Sequence, residues 1–135
     1  MEVHRIHPKL NVFLVEDAVP VRRRIAEAFS AIPDVIVVGE AEDTATALAE
    51  IASSGADVAV VDLRLIAGSG IELVARLSRE QPSVVTVVLT NHASAPFRVA
   101  CQHAGADFFF DKTSEFDAAC HTLEALVKQR ANTAR

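Results

Sequence analysis

Five side chains that could bind a metal or take part in a reaction lie at or just after short apolar runs of this 135-residue chain: Glu16, Asp17, Asp62, Thr90 and Lys112. Carboxylates that are brought close together repel one another and take up protons unless a cation compensates their charge. Carboxylate oxygens suit Mg²⁺, which keeps several of its own waters. These residue types predict a magnesium site, provided that the fold gathers them.

The same residue types suit phosphoryl transfer. That reaction chiefly needs positioning and charge neutralisation, which a metal ion and a lysine such as Lys112 provide. A carboxylate can act as the nucleophile and form an acyl phosphate. Asp62 is the central candidate, because its strand is expected to lie beside the strand that ends at Glu16. We therefore predict that Asp62 accepts a phosphoryl group.

The apolar runs are short and rich in β-branched or aromatic residues, which is typical of buried parallel strands. They are Val12–Val15, Val35–Val38, Val58–Val61, Val84–Leu89 and Phe108–Phe110. Apolar residues at helical spacing lie between and after them, within Val21–Ile32, Ala45–Ile51, Ile71–Leu77, Phe97–Ala104 and Phe116–Val127. Gly105 is predicted to end the fourth helix, Ser114 to cap the last one, and Arg130 to lie near its end.

Five strands that alternate with five helices predict a doubly wound α/β fold, a (βα)5 parallel sheet with helices on both faces. In open sheets of this kind the functional crevice lies at the carboxyl ends of the strands. The candidate side chains fall at that edge. With no visible repeat or linker, we expect one domain over residues 1–135, with its core at about residues 10–130 and no output domain.

Composition and charge exclude several classes of protein. Half of the residues are hydrophobic and 23% are charged, a balance that favours a folded core over disorder. A net charge of −5 argues against direct binding to nucleic acid. No segment reaches the roughly 20 apolar residues that cross a bilayer, so we expect a cytoplasmic protein without membrane contact. Cys101 and Cys120 lack CxxC spacing and are predicted to be reduced thiols.

The fragments VFLVED, VVDLRL, VVLTN and FFFDK, in this order and spacing, resemble the receiver domain of two-component response regulators, as in chemotaxis regulators. The resemblance covers essentially the whole chain. It implies a flavodoxin-like sheet with strand order 2-1-3-4-5. It also implies that Asp62 accepts a phosphoryl group from the phosphohistidine of a sensor histidine kinase or phosphotransfer protein and signals by conformational change. Such a protein assists its own phosphotransfer and dephosphorylation and is not a conventional enzyme.

The resemblance implies a metal-binding role for four positions at this edge. Asp17 and Asp62 would bind Mg²⁺, and Glu16 would act mainly through water. The backbone carbonyl of Arg64 would be a further ligand, and the Arg64 side chain could alter the lifetime of the acyl phosphate by placing a cation near it.

Other positions would read and transmit the phosphorylation. Lys112 would pair with the phosphoryl oxygens, and Thr90 would donate a hydrogen bond to one of them. Phe109, three residues before the lysine, matches the aromatic switch position of the family. Gly70, eight residues after Asp62, matches its loop glycine.

Four positions depart from the commonest pattern of the family: Ile66, Asn91, Phe109 and Thr113. Proline is frequent at the first and last of them, a small residue at the second and tyrosine at the third. Proline after the lysine often permits a cis bond, which costs a non-proline residue about 2.5–4 kcal/mol. The conformation of the Lys112–Thr113 peptide is therefore open.

Two other functions stay open at this point. A receiver-like module could bind partners without phosphorylation, but its usual sign would be loss of the acids or the lysine, and none is lost. A nucleotide-binding α/β enzyme could use Glu40 to hold a ribose. Its first turn, however, would set Glu16 and Asp17 against a pyrophosphate, where backbone amides are needed.

Several charged residues are expected to be ordinary surface groups. Arg22, Arg23 and Arg24 occupy consecutive helical positions that fan around the axis, so we expect mostly a solvated face. The acidic residues around Glu40 and Glu42 are expected to be exposed. For partners beyond the kinase, we expect a downstream protein or an output domain outside this chain, and a homodimer is compatible with the sequence.

Overall fold

The structure, a computed structural model, describes residues 9–133, with the backbone alone at Thr133. Five strands and five helices alternate along this part of the chain, as the apolar pattern predicts. The strands are β1 (Leu10–Val15), β2 (Val35–Ala41), β3 (Val58–Val61), β4 (Val85–Thr90) and β5 (Phe108–Asp111). The helices are α1 (Val19–Ser30), α2 (Thr44–Ser54), α3 (Gly70–Glu80), α4 (Ala95–Ala104) and α5 (Phe116–Thr133).

All five strands pair in parallel, in the order β2-β1-β3-β4-β5. This confirms the predicted flavodoxin-like topology. The register pairs Val15 with Val61, Val61 with Val88, and Thr90 with Asp111. Because parallel strands end at the same edge, the residues that follow β1, β3, β4 and β5 meet there.

The apolar runs are continuous because helices cover both faces of the sheet. Successive residues of a strand point to opposite faces. Val12 and Leu14 therefore join one hydrophobic cluster, which contains residues of α1 and α5, whereas Phe13 and Val15 join another, which contains residues of α2 and α3. A third, smaller cluster joins Leu63 and residues of α3, β4 and α4.

Some predicted boundaries differ from the observed ones by a few residues. β5 includes Asp111, whose carboxylate accepts hydrogen bonds from the amides of Thr113 and Ser114. α5 begins only at Phe116, so Glu115 flanks its start and the predicted capping role of Ser114 is wrong. The amide of Ser114 is bonded instead to the carboxylate of Asp111, in the turn that precedes the helix. α5 also continues beyond the predicted end near Arg130, to Thr133.

The far end of α5 is attached to the amino edge of the sheet. Arg130 donates a hydrogen bond to Asp57 Oδ1 over 3.0 Å, and Asp57 Oδ2 accepts the amide of Asn11 over 2.8 Å. Asp57 precedes β3, so this contact lies at the edge opposite Asp62. No helix of the described residues is long and apolar enough to cross a membrane.

Gly70 lets the first turn of α3 approach the end of β3. Its amide donates a hydrogen bond to the carbonyl of Leu63 over 3.0 Å. A Cβ atom at Gly70 would lie 2.1 Å from the carbonyl oxygen of Asp62 and 2.6 Å from the Cα atom of Leu63. Both atoms belong to the backbone, so rotation of a side chain cannot relieve the clash.

Gly70→Ala should destabilise the domain by about 2–3 kcal/mol, although alanine is the better helix former, because overpacking against backbone forces a shift of the loop. Gly55→Ala is the matched control. Gly55 has a φ of 71° but no atom within 4 Å of a new Cβ, so only the left-handed backbone cost of about 1–2 kcal/mol applies. Urea unfolding of both variants checks the difference, and an equal or smaller loss in Gly70→Ala would contradict the close approach.

Candidate functional site

Three carboxylates meet at the carboxyl edge of the sheet. Oxygens of Glu16, Asp17 and Asp62 lie within 4.8 Å of one another. Their backbone positions follow from the sheet: the amide of Glu16 bonds to the carbonyl of Ala41, and the amide of Asp62 to that of Val15, each over 3.0 Å. Glu16 is 2% exposed and Asp62 is 9% exposed, whereas Asp17 is partly buried. The cluster is therefore a shallow pocket with one solvent-facing acid.

Two of the carboxylates are held by nearby backbone amides. Glu16 Oε2 accepts a hydrogen bond from the amide of Ala18 over 3.0 Å, and Asp62 Oδ1 accepts one from the amide of Leu63 over 2.7 Å. Each of these carboxylates has a second oxygen that is directed toward a cation.

That cation is the ammonium group of Lys112. Its Nζ atom donates to Glu16 Oε1 and, over 3.0 Å, to Asp62 Oδ2. The Lys112 amide bonds to the carbonyl of Thr90 over 2.8 Å, which fixes the start of this side chain beside β4. The lysine side chain is 13% exposed, so both ion pairs are largely shielded from water.

Burial and charge shift the protonation of this cluster in defined directions. Burial raises the pKa of Glu16, and the charge of Asp62 adds to this, while the hydrogen bonds from Lys112 and Ala18 act in the opposite sense. Burial by itself would lower the pKa of Lys112, but the hydrogen bond to Glu16 and the charge of Asp62 outweigh it, so this pKa is raised. The ammonium form of Lys112 is therefore stabilised by the two acids.

Thr90 is fully buried beside this cluster. Its Oγ1 atom accepts a hydrogen bond from the amide of His92 over 3.1 Å. In the loops that follow, Thr113 Oγ1 donates to Asn91 Oδ1 over 3.0 Å. Every peptide bond of residues 9–133 is trans, including Lys112–Thr113, which answers the question left open by the sequence. Two of the four departures from the family pattern, Asn91 and Thr113, thus contact each other.

Phe109 lies partly buried against the third hydrophobic cluster and under an arginine. The guanidinium carbon of Arg98 is 4.7 Å from the ring centroid, a cation–π distance. Arg98 Nη2 also donates to Glu115 Oε1 over 2.7 Å, and Nη1 to the carbonyl of Phe109 over 3.4 Å. Hydrogen bonds from the Asp111 amide and Arg98 hold the pKa of Glu115 below its usual range.

Sequence reasoning missed Arg98 and Glu115, because their contacts join α4, β5 and the start of α5 across 11 and 17 positions of chain. No short-range pattern signals such a contact.

The prediction of a solvated arginine face is wrong for Arg22. Arg23 and Arg24 are exposed, but the Arg22 side chain is only 15% exposed. It donates to Glu40 Oε1 over 3.1 Å and to Glu42 Oε1 over 3.2 Å, and also to the backbone carbonyl of Glu16 over 2.8 Å. Consecutive helical residues point in different directions, so one of the three turns toward the pocket while its neighbours do not.

The structure brings together four of the five side chains that the sequence singled out, namely Glu16, Asp17, Asp62 and Lys112. The fifth residue, Thr90, adjoins them through its backbone carbonyl, which accepts the amide of Lys112. The carbonyl of Arg64 as a metal ligand stays a prediction. The donor set fits Mg²⁺: the three carboxylates offer oxygen ligands, and Asp17 leaves a side open to water. With all three acids ionised, Lys112 compensates one charge, and two negative charges are left to match a divalent cation.

The fold and the pocket define a class of protein: flavodoxin-like α/β domains that have an acidic pocket suited to a metal ion, and a lysine, at the carboxyl edge of the sheet. Comparison with known proteins narrows this class. The family model described as "Response regulator receiver domain" matches residues 12–124. The chain belongs to the response regulator receiver domain family, and its function is that of a receiver, a phosphoacceptor in two-component signalling.

Individual relatives agree with this assignment. The DNA-binding transcriptional activator DevR/DosR of Mycobacterium tuberculosis is 38% identical over 103 residues, which cover 76% of this chain and 48% of that protein. The transcriptional regulatory protein UhpA of Salmonella typhimurium is 32% identical over 117 residues, 84% of this chain and 58% of that protein. The chain thus spans about half the length of these relatives.

Solved structures show the same fold. The two-component response regulator of the LuxR family from Aurantimonas sp. SI85-9A1 superposes with a TM-score of 0.83 at 25% identity, covering 90% of this chain and 86% of that one. The non-phosphorylated receiver domain of RcsB from Escherichia coli superposes with a TM-score of 0.77 at 25% identity, covering 87% of this chain and 94% of that one.

Lys112→Met should destabilise the domain near neutral pH by about 3 kcal/mol, because it leaves two buried carboxylates without their cation. Without the lysine the pKa of Glu16 should rise further. A raised carboxyl pKa contributes stability at low pH that is lost as pH rises through it, so the deficit of the variant should grow with pH. Urea unfolding at several pH values checks this, with Lys128→Met on the exposed face of α5 as control. A deficit that is the same at every pH would contradict it.

Proposed function

We propose that Asp62 is the phosphoacceptor of this receiver domain and that Mg²⁺ assists the transfer. The observation that carries the proposal is the position of the Asp62 carboxylate. It lies within 4.8 Å of the acids Glu16 and Asp17, and 3.0 Å from Lys112 Nζ. A nucleophile between an acidic pocket suited to a metal ion and an ammonium group has the surroundings that phosphoryl transfer requires.

In the proposed reaction an Asp62 oxygen attacks the phosphorus of a phosphohistidine on the partner. The phosphorus–nitrogen bond breaks, the histidine nitrogen keeps the electron pair, and an acyl phosphate forms on Asp62. Asp17 and Asp62 would hold Mg²⁺, Glu16 would act mainly through water, and the carbonyl of Arg64 would be a further ligand. An ion held there would supply positive charge for the phosphoryl oxygens. Lys112 exchanges its contact with Asp62 for one with a phosphoryl oxygen.

The proposed partner is a sensor histidine kinase or a phosphotransfer protein. The domain then acts as a phosphoacceptor that assists its own phosphorylation and dephosphorylation, and not as a conventional enzyme. Its single core, at about residues 10–130, is supported by the clusters on both faces of the sheet. The output lies outside these residues, in a further domain or a separate protein. DevR/DosR, which is described as a DNA-binding activator, is about twice as long as the matched segment.

Incubation with a small phosphodonor should add one phosphoryl group to the wild type, and Asp62→Asn should abolish this, because the amide is a poor nucleophile. Chelation of Mg²⁺ should suppress it as well. Intact-mass measurement with peptide mapping detects the adduct and its site.

Asp57→Asn is the matched control. Asp57 is an aspartate just before the same strand, at the opposite edge, so this variant should still be labelled. Label on a histidine or serine, or label that persists in Asp62→Asn, would overturn the assignment. A wild type that accepts no phosphate and still binds its partners would favour an interaction module that works without phosphorylation.

The proposed signal runs from Thr90 to Phe109. Phosphorylation draws Thr90 Oγ1 toward a phosphoryl oxygen and away from the amide of His92, which is 3.1 Å from it. The space behind Thr90 is then open to Phe109 from the neighbouring strand. Inward movement would take this ring away from the guanidinium of Arg98, whose central carbon lies 4.7 Å from the ring centroid. Because Arg98 belongs to α4 and also binds Glu115, the surface formed by α4, β5 and α5 changes.

Thr90→Ala should still accept phosphate but should respond less, because it lacks the hydroxyl that favours the phosphorylated state. Amide chemical shifts of the wild type and the variant, with and without beryllofluoride as a stand-in for the phosphoryl group, measure the response. We expect smaller changes in the variant across residues 95–104 and 108–116. Equal changes in both proteins would refute the coupling and leave Phe109 as a core residue.

A further inference from the structure

Arg22 joins α1 to two of the loops at the carboxyl edge. Through Nη1 it donates both to the backbone carbonyl of Glu16, over 2.8 Å, and to Glu42 Oε1, over 3.2 Å. Through Nε it donates to Glu40 Oε1 over 3.1 Å. Glu16 opens the loop that also carries Asp17, while Glu42 lies in the loop between β2 and α2. One guanidinium group thus joins two neighbouring loops: the loop that carries Glu16 and Asp17, and the loop that carries Glu42.

The β2–α2 loop is itself bonded to the loop that follows Asp62. The amide of Ile66 donates to the carbonyl of Glu42 over 3.3 Å, and the amide of Thr44 donates to the carbonyl of Ala67 over 3.2 Å. A chain of hydrogen bonds therefore runs from Glu16 through Arg22 and Glu42 to the loop after β3. The loop of Glu16 and Asp17 is thus connected to this arginine directly, and the loop after β3 is connected to it through Glu42.

The contribution of Arg22 to overall stability should be small. The side chains of Glu40 and Glu42 are 41% and 42% exposed, and ion pairs with such exposed partners contribute little to stability. The contact with the carbonyl of Glu16 is different, because its charged donor bonds to the backbone that carries the two acids. Its effect falls on the position of the Glu16 backbone, and therefore on the directions of the carboxylates of Glu16 and Asp17.

We infer that Arg22 is a positioning residue for the metal pocket: it fixes the loop of Glu16 and Asp17 so that their carboxylates face Asp62. This inference rests on the proposed function, in which that pocket binds Mg²⁺. It makes a prediction of definite sign. If the charge of Arg22 mattered most, its removal would strengthen the binding of a cation by the acidic cluster. If its hydrogen bonds matter most, removal weakens the binding.

The test is a Mg²⁺ titration followed by the amide shifts of residues 16–18 and 62–64, in four proteins: wild type, Arg22→Met, Arg22→Lys and Arg23→Met. Arg22→Met should bind Mg²⁺ about tenfold more weakly, as is typical when a group that orients a metal ligand is lost. Arg22→Lys keeps the charge but has no rigid fork of donors, so its affinity should also fall. Arg23→Met removes the same charge from an exposed neighbour and should bind at least as well as the wild type.

A second readout separates positioning from a general defect. The Mg²⁺ concentration that gives half-maximal labelling by a small phosphodonor should rise in Arg22→Met, while the rate at saturating Mg²⁺ stays close to that of the wild type. Thermal unfolding checks that the variants fold. If Arg22→Met does not fold, the Mg²⁺ affinity of Arg22→Lys tests the inference.

Two results would overturn the inference, and a third would refute the proposed metal site on which it rests. Unchanged or tighter Mg²⁺ binding in both Arg22 variants would show that the contacts with the loops do not matter for the pocket. Equal weakening in Arg23→Met would show an effect of surface charge alone. A wild type whose shifts change away from residues 16–18 and 62–64 would instead refute the proposed metal site, which is distinguishable because it requires no variant.

Discussion

The contact between Lys112 and the two buried acids, Glu16 and Asp62, is the interaction on which the pocket depends. Three carboxylates within 4.8 Å of one another stay ionised together in a folded protein only with compensating positive charge. Lys112 supplies part of this positive charge. The negative charge that it leaves uncompensated destabilises the pocket, but it also makes the pocket suited to Mg²⁺. At this edge of the sheet, the arrangement that favours the proposed chemistry therefore lowers the stability of the fold.

The parallel register converts separate chain positions into this pocket. Most of the fold could be predicted from the sequence, because apolar runs such as Val58–Val61 and the helical stripes between them are local patterns. The acids at strand ends could also be predicted to meet, since parallel strands share one edge. Arg22 and Arg98 could not, because their contacts depend on the direction in which one helical side chain points. The capping role of Ser114 failed for another reason: this residue belongs to a turn before α5, in which its amide is bonded to the carboxylate of Asp111.

Two arginines connect structural elements near opposite ends of the sheet. Arg22 joins the loop of Glu16 to the loops after β2 and β3, on the side of the metal-type acids. Arg98 covers the ring of Phe109 and binds Glu115, on the side of the proposed signalling surface. Their partners differ in kind: Arg22 contacts the backbone carbonyl of Glu16, next to the proposed metal ligands, and Arg98 contacts the ring of Phe109, which is proposed to move. In the proposed mechanism, Arg22 therefore holds one fixed geometry, whereas Arg98 stabilises one of two states.

The attachment of α5 to Asp57 has a consequence for the way in which larger molecules can share the domain. The helix starts beside the acidic pocket and, at 1.5 Å per residue over 18 residues, ends about 27 Å away, at the opposite edge. Polypeptide that extends past this helix would depart from the face turned away from Asp62. A bulky phosphate donor and such an extension would approach from opposite poles, so neither has to leave before the other can engage.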